Sequence, residues 1–187
     1  MSLRWRRIIA CLLPLLLAAC AMQTRPRPPL VELPPLRLSP ASLGRELALQ
    51  QQLHFTFGRN ARDMDALLEV DANEVRLVVQ AMGQAGVRLF WDGKELRQQR
   101  AAWLPPTVRA ERVLDDLQFA MWPAEAIRQV LPPAWTLREN GPLRELVHDD
   151  HVWMSVTRLD GNRLRLANLA EGYQLEIDSI GSEGAEP

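Results

Sequence analysis

The side chains in this sequence best able to do covalent or metal chemistry are three histidines, two cysteines and a scatter of serines. The densest cluster is His148-Asp149-Asp150-His151, whose imidazoles and carboxylates are all ligands for a divalent metal. Consecutive residues in a turn point in different directions, however, and a tetrahedral site would need a further ligand from elsewhere. The other histidine, His54, falls on a distant strand, so the cluster reads as a solvated hairpin turn with no metal. Ser39, Ser42, Ser155, Ser179 and Ser182 occupy no Gly-x-Ser-x-Gly elbow. Gly93-Lys94 is followed by Glu95, which excludes a phosphate-binding loop, and Gly83-Gln84-Ala85-Gly86 is too short for a dinucleotide fingerprint. Asp115-Asp116 falls on the polar side of a predicted helix, where solvated carboxylates are expected. The sequence supports neither catalytic residues nor a cofactor.

Composition narrows the classes further. With 47% hydrophobic and 24% charged residues in 187, the chain can build a packed core. Lys+Arg of 22 against Asp+Glu of 23 leaves a net charge of −1, without the basic excess that nucleic-acid binding requires. Two cysteines cannot make a disulfide framework.

The two cysteines lie in a segment that reads as an address. Arg4, Arg6 and Arg7 precede an apolar run from Ile8 to Leu17, which is shorter than the ~20 residues a membrane-spanning helix needs and matches a signal-peptide core. The run ends in Leu17-Ala18-Ala19-Cys20, which looks like a bacterial lipobox, with small residues for the peptidase groove and a thiolate to accept a diacylglycerol group. Residues 1–19 are therefore expected to be removed, leaving Cys20 as a lipidated N-terminus. Multiple acyl chains on one cysteine give the stable anchoring that a single chain cannot. Ala21 stands where an aspartate would resemble an inner-membrane retention signal, so the expected location is the inner leaflet of the outer membrane, facing the periplasm. Between Ala21 and Pro40 lie six of the fourteen prolines, a composition that favours an extended spacer. Residues 20–42 are read as a lipidated tether.

From residue 43 the chain alternates with period two. Leu47, Leu49, Leu53, Phe55 and Phe57 share one parity, broken by Gln51, against Gln50, Gln52, His54 and Thr56. Met64, Ala66, Leu68 and Val70 repeat the pattern, as do Val75, Leu77 and Val79. A loop around Gly83 and Gly86 leads to Val87, Leu89 and Trp91, and Asp92-Gly93 is a hairpin signal with Lys94 to Gln98 as the return strand. The period then becomes helical through Val113, Leu114, Leu117, Ala120 and Met121. Pro123 is well placed to start a second helix containing Ile127, and Pro132-Pro133 stops it. Strands resume at 135–139, 143–148, 152–159, 162–168 and 173–180. The pattern predicts an α+β fold: one curved antiparallel sheet, residues 43–181, with helices on its concave face, and a tail at 182–187.

The run Val113-Leu114-Asp115-Asp116-Leu117-Gln118-Phe119-Ala120-Met121-Trp122-Pro123-Ala124-Glu125 resembles the signature of an uncharacterised family of bacterial lipoproteins, a domain-of-unknown-function family. Leu137 to Glu145 and Gly172-Tyr173-Gln174-Leu175-Glu176-Ile177 fit the same pattern. The resemblance associates the chain with gene clusters for aryl polyene lipids. More remotely the architecture is similar to LolB, the outer-membrane lipoprotein receptor, and to its carrier LolA, half-barrels closed by helices over an acyl-binding cavity. That likeness implies a hydrophobic cavity lined by Leu53, Phe55, Leu68, Leu77, Val79, Leu89 and Trp91 from the sheet and Leu117, Met121, Trp122 and Ile127 from the helices. It implies an acylated cargo, a lipoprotein or an aryl-polyene-type lipid, and a periplasmic carrier as partner. It also implies a membrane contact at Met82, on the loop from Ala81 to Gly86, where the likeness would place leucine. The same residues can equally pack as a filled core, and the domain would then serve as a non-catalytic docking lipoprotein of an envelope assembly.

Overall fold

The structure, a computed structural model, describes residues 31–104, 109–159 and 161–183. Residues from Val31 onward form a compact unit with its own hydrophobic core. The expectations for residues 1–30, including signal peptide, Cys20 and the start of the tether, lie outside the described residues.

Ten strands form a single open antiparallel sheet in the order β5-β4-β3-β2-β1-β10-β9-β8-β7-β6. They are β1 Leu47–Phe57, β2 Asn60–Val70, β3 Val75–Ala81, β4 Gln84–Trp91, β5 Leu96–Arg100, β6 Trp135–Asn140, β7 Leu143–His148, β8 His151–Arg158, β9 Arg163–Asn168 and β10 Tyr173–Glu183. The first and last strands pair at the centre of the sheet, from Leu47↔Glu183 to Phe57↔Tyr173. That closure depends on Gly181 opposite Leu49, because a Cβ there would lie 2.2 Å from the Ala48 carbonyl oxygen. Gln51, which breaks the apolar parity of β1, also sits in this seam. It is buried and faces Ser179, to whose Oγ its amide donates at 3.0 Å. A buried polar residue is tolerated there because its partner is built into the opposite strand.

Two helices join the edge strands β5 and β6. Helix α1 spans Ala110–Met121 and α2 spans Ala124–Val130. Helix α1 lies against β4, β5 and β9, and α2 against β6, so the pair crosses one face of the sheet. Trp122 is extended (φ −75, ψ 153) because Pro123 follows, and this separates the helices. From β7, Arg144 Nη1 donates to the Phe119 and Trp122 carbonyls at 2.7 and 2.8 Å, satisfying acceptors that the end of α1 leaves open.

The proline-rich stretch differs from the expected spacer. Leu33, Leu36, Leu38 and Leu43 are each 5% exposed or less and belong to the core. A 3-10 turn at Pro40–Leu43 leads from this strap into β1 through Gly44, whose φ of 77 suits glycine. The packed unit thus begins at Val31, not at residue 43. An extended, proline-restrained segment loses little entropy on docking, and each buried leucine contributes about 1.5–3 kcal/mol.

Smaller corrections follow the same logic of tertiary pairing. The expected loop at 81–86 is a tight hairpin turn at Met82-Gly83, with β4 already under way at Gln84. Strand β5 is displaced to Leu96–Arg100, and β10 runs on to Glu183, three residues past the expected end, because β1 offers it a partner that far.

Candidate functional site

Ten of the eleven residues expected to line a cavity belong to one apolar cluster or pack against it, Phe55 being the exception. Leu53, Leu68, Leu77, Leu89, Trp91, Met121, Trp122 and Ile127 are buried, and Phe55, Val79 and Leu117 are half-buried. Leu68, Leu114, Phe119, Trp122, Ile127, Leu146 and Leu166 are all under 2% exposed, and sheet, helices and strap contribute to the same apolar cluster.

A cleft of about 430 Å³ does open over β1, β2, β9 and β10. Of the eleven expected lining residues it reaches only Leu53. Its apolar row is Leu53, Met64, Leu164 and Ile177, flanked by His54, Asp63, Asp65, Glu176 and Asp178. His54 Nδ1 and Asp63 Oδ1 lie 2.6 Å apart. Leu159 adds to the apolar side and Arg163 sets one cation among the four carboxylates of the lining.

The helix motif carries its chemistry in an unexpected place. Asp115 and Asp116, read from the sequence as solvated, are 4% and 8% exposed, and Gln118 is fully buried. Helix α1 is sandwiched between the sheet and the strap, so its polar side is also an interior face. Gln118 pairs with Leu38 in both directions: its Oε1 accepts from the Leu38 N–H at 2.9 Å, and its Nε2 donates to the Leu38 carbonyl at 2.8 Å. That carbonyl also accepts from Trp91 Nε1 at 2.7 Å. Asp115 Oδ1 accepts from the Leu36 N–H at 3.1 Å and from Arg37 Nη1 at 2.8 Å. Trp122 Nε1 donates to the Ser39 carbonyl and to Ser42 Oγ, each at 3.1 Å. Arg112 donates through Nη2 to the Leu33 carbonyl at 3.2 Å and through Nε to Glu171 Oε1 at 3.1 Å. Together these contacts give the strap's backbone the partners that a buried extended chain needs.

On the sheet side, Tyr173 donates its hydroxyl to Asp116 Oδ2 and accepts from Asn168 Nδ2 at 3.0 Å. Asp116 Oδ1 is buried without a hydrogen-bond partner. Desolvation by burial is the main reason the Asp116 carboxyl is pushed up to about 7, against the lowering pull of the Tyr173 hydroxyl and Arg112. Burial likewise raises Asp115, opposed by Arg37. Burial first, then the nearby Asp116, raise the Tyr173 hydroxyl well above its ordinary value, so it remains a donor. The cleft does not extend to Asp116 or Tyr173. The group is suited to holding α1 on β10.

The remaining sequence-singled residues are dispersed. Asp149 and Asp150 form the exposed β7–β8 turn with φ of 49 and 59, His148 is half-buried beside Trp135 at 4.8 Å, and His151 is exposed. Among the described residues no three His, Cys, Asp or Glu are placed to hold a metal ion. Ser179 is engaged with Gln51, and Ser42 Oγ donates to the Ser39 carbonyl at 2.6 Å. Met82 stands at the β3–β4 turn, 90% exposed. Among the described residues no helix is long and apolar enough to cross a membrane.

The polar face of α1 and the leucines of the strap are what sequence reasoning missed. The available signal was Leu33, Leu36 and Leu38 recurring among the prolines, more leucine than a solvated spacer requires.

A single open antiparallel sheet with an inserted helical pair on one face defines the class of protein: α+β, with residues 112–122 of the helical segment joining helix, sheet and strap. The match extends over most of the chain. Residues 48–181 fit the family described as protein of unknown function DUF3261, and the chain belongs to it. No curated protein matches the sequence.

Proposed function

We propose that this protein is a non-catalytic docking lipoprotein: a domain tethered through a lipid on Cys20 to the periplasmic side of the outer membrane, whose working part is its surface. The observation that supports this reading is the apolar core shared by sheet, helices and strap, in which eight of the eleven residues expected to line a cavity are buried. On this reading the strap leucines, α1 and α2 take the volume in which an acyl chain would otherwise lie. A likeness to LolA and LolB would be one of fold, and fold alone does not carry a carrier's function with it. In a carrier reading, the helical pair and strap would have to leave the sheet before an acylated cargo could enter, uncovering the buried Asp115, Asp116 and Gln118 contacts.

Two experiments test the halves of this proposal. Incorporation of alkyne-palmitate into the wild-type chain and its loss in Cys20→Ser, with release of the variant from the membrane fraction, is expected of the anchor; equal labelling of both contradicts it. Titration with a fluorescent fatty acid is expected to give no saturable signal, and stoichiometric binding would restore the carrier.

A further inference from the structure

The helices and the strap pack on one face of the sheet, the face of the paired row Leu49, Leu68, Leu77 and Leu89. Residues paired across neighbouring strands point the same way, so register also fixes what the opposite face carries. Its central row runs Ile180, Gln50, Leu67, Val78, Arg88 and Gln99, from β10 through β1, β2, β3 and β4 to β5. Ile180 and Leu67 are 71% and 49% exposed, and Val78 beside Leu67 is half-buried. None of these three belongs to the core cluster.

Charge on this outer face is sorted by strand. On β3, β4 and β5 it carries Arg76, Arg88 and Arg97 and no acid. On β2, β1 and β10 it carries Asp63, Asp65, Glu69, Glu176 and Asp178, with His54 and no lysine or arginine. Arg163 and Arg165 on β9 begin a second positive band. Several of these charges are answered within the chain. Arg76 pairs with Glu69 at 3.5 Å and with Glu74, His54 with Asp63 at 2.6 Å, and Arg165 with Glu176 at 2.9 Å. Arg97 lies over the Phe90 ring, 3.9 Å from its centroid. Arg88, Asp65 and Asp178 are exposed and have no ion-pair or hydrogen-bond partner among the described residues.

A partner of one charge sign would match one band and be repelled by the next. A second copy of the same face matches both. With a two-fold axis running along the strands between β2 and β3, the strands β3, β4 and β5 of each copy lie over β2, β1 and β10 of the other. Val78 then meets Leu67 in both halves of the contact, at the boundary of the bands. The positive band of each copy covers the acidic band of the other, and Arg88 comes within reach of Asp65. Three rows across six strands cover roughly 20 by 29 Å, about 600 Å² per copy, which is the lower end of specific interfaces.

We propose that the outer face of the sheet is a homodimer interface, in which two copies dock through the six strands from β5 to β10 with Leu67 and Val78 at the centre and Arg88 paired to Asp65 across it. An interface of this size with a small apolar centre gives a weak dimer, with a dissociation constant in the micromolar range. The inference goes beyond the docking reading and needs neither a lipid on Cys20 nor a filled interior.

Sedimentation velocity on residues 20–187 carrying Cys20→Ser, from about 1 to 200 μM, is expected to move from monomer to dimer mass, at higher concentration when salt is raised. Arg88→Glu, Asp65→Arg and Leu67→Asp should each weaken the dimer at least about tenfold while leaving the urea midpoint close to that of the parent, since all three side chains are exposed. An equimolar mixture of the Arg88→Glu and Asp65→Arg chains should dimerise as the parent does, because both contacts in the mixed dimer again join opposite charges. A change of fold alone would not be rescued by mixing. A monomer across the whole range, charge variants that dimerise like the parent, or a mixture that stays monomeric would overturn the proposal. Palmitate labelling of Cys20 and the fatty-acid titration are read on separate samples, so their failure and the failure of the dimer are told apart.

Discussion

Replacing Asp116 by asparagine should make the protein more stable at neutral and alkaline pH and flatten its pH dependence. The carboxyl is buried and pushed up to about 7 from 3.8, chiefly by desolvation. The native state therefore holds a proton that the unfolded chain releases between those values. A raised carboxyl stabilises the fold below its unfolded pKa, and this contribution drains away as pH rises through the folded value. At about 1.4 kcal/mol per tenfold in proton affinity the ceiling is roughly 4 kcal/mol, and relaxation around the charge brings the expectation to about 2–4 kcal/mol. Asparagine keeps the shape of the protonated acid and an oxygen for the Tyr173 hydroxyl. Urea unfolding followed by tryptophan fluorescence at intervals from pH 4 to pH 8 measures the effect. The wild type should lose stability across this window, with a residual slope from Asp115, which burial raises in the same sense. The variant should lose less and exceed the wild type at pH 8. Identical slopes, or a variant less stable than wild type at pH 8, would refute the assignment of a buried, proton-holding Asp116.

Other substitutions probe the remaining joints. A chain starting at residue 43 should fail to give a cooperative melt, whereas one starting at Val31 should fold, because the strap supplies Leu33, Leu36 and Leu38 to the core. Within the longer chain, Leu38→Ala should cost about 2–5 kcal/mol in urea unfolding; a loss below half a kcal/mol would return the strap to the status of a spacer. Gly181→Ala should destabilise by several kcal/mol, since its Cβ would meet the Ala48 carbonyl oxygen at 2.2 Å; an unchanged melting temperature would contradict the β1–β10 seam.

The sheet was legible in the sequence because its strands have one wet face. Leu47, Leu49 and Leu53 against Gln50, Gln52 and His54 announce β1, and only the Gln51 exception needed β10 to explain it. The helical pair was equally legible from period and from Pro123. What local pattern could not reveal is a third layer. Nothing near Asp115 and Gln118 in sequence says that residues 33–39 return to cover them, so two buried polar residues passed as a solvated face. For the same reason Pro34 and Pro35 suggested a free spacer when their neighbours are core leucines. The apolar lining of a cavity and the apolar filling of a core use the same side chains, and Trp122 and Ile127, both fully buried, suit either one.

The proposal that the interior is filled is best tested by native mass spectrometry of residues 31–187 expressed in the periplasm and purified without detergent, with organic extraction of the same sample. The account predicts a single species at the mass of the polypeptide and no acyl lipid in the extract. A stoichiometric adduct of fatty-acyl or polyene mass, recovered on extraction, would contradict it.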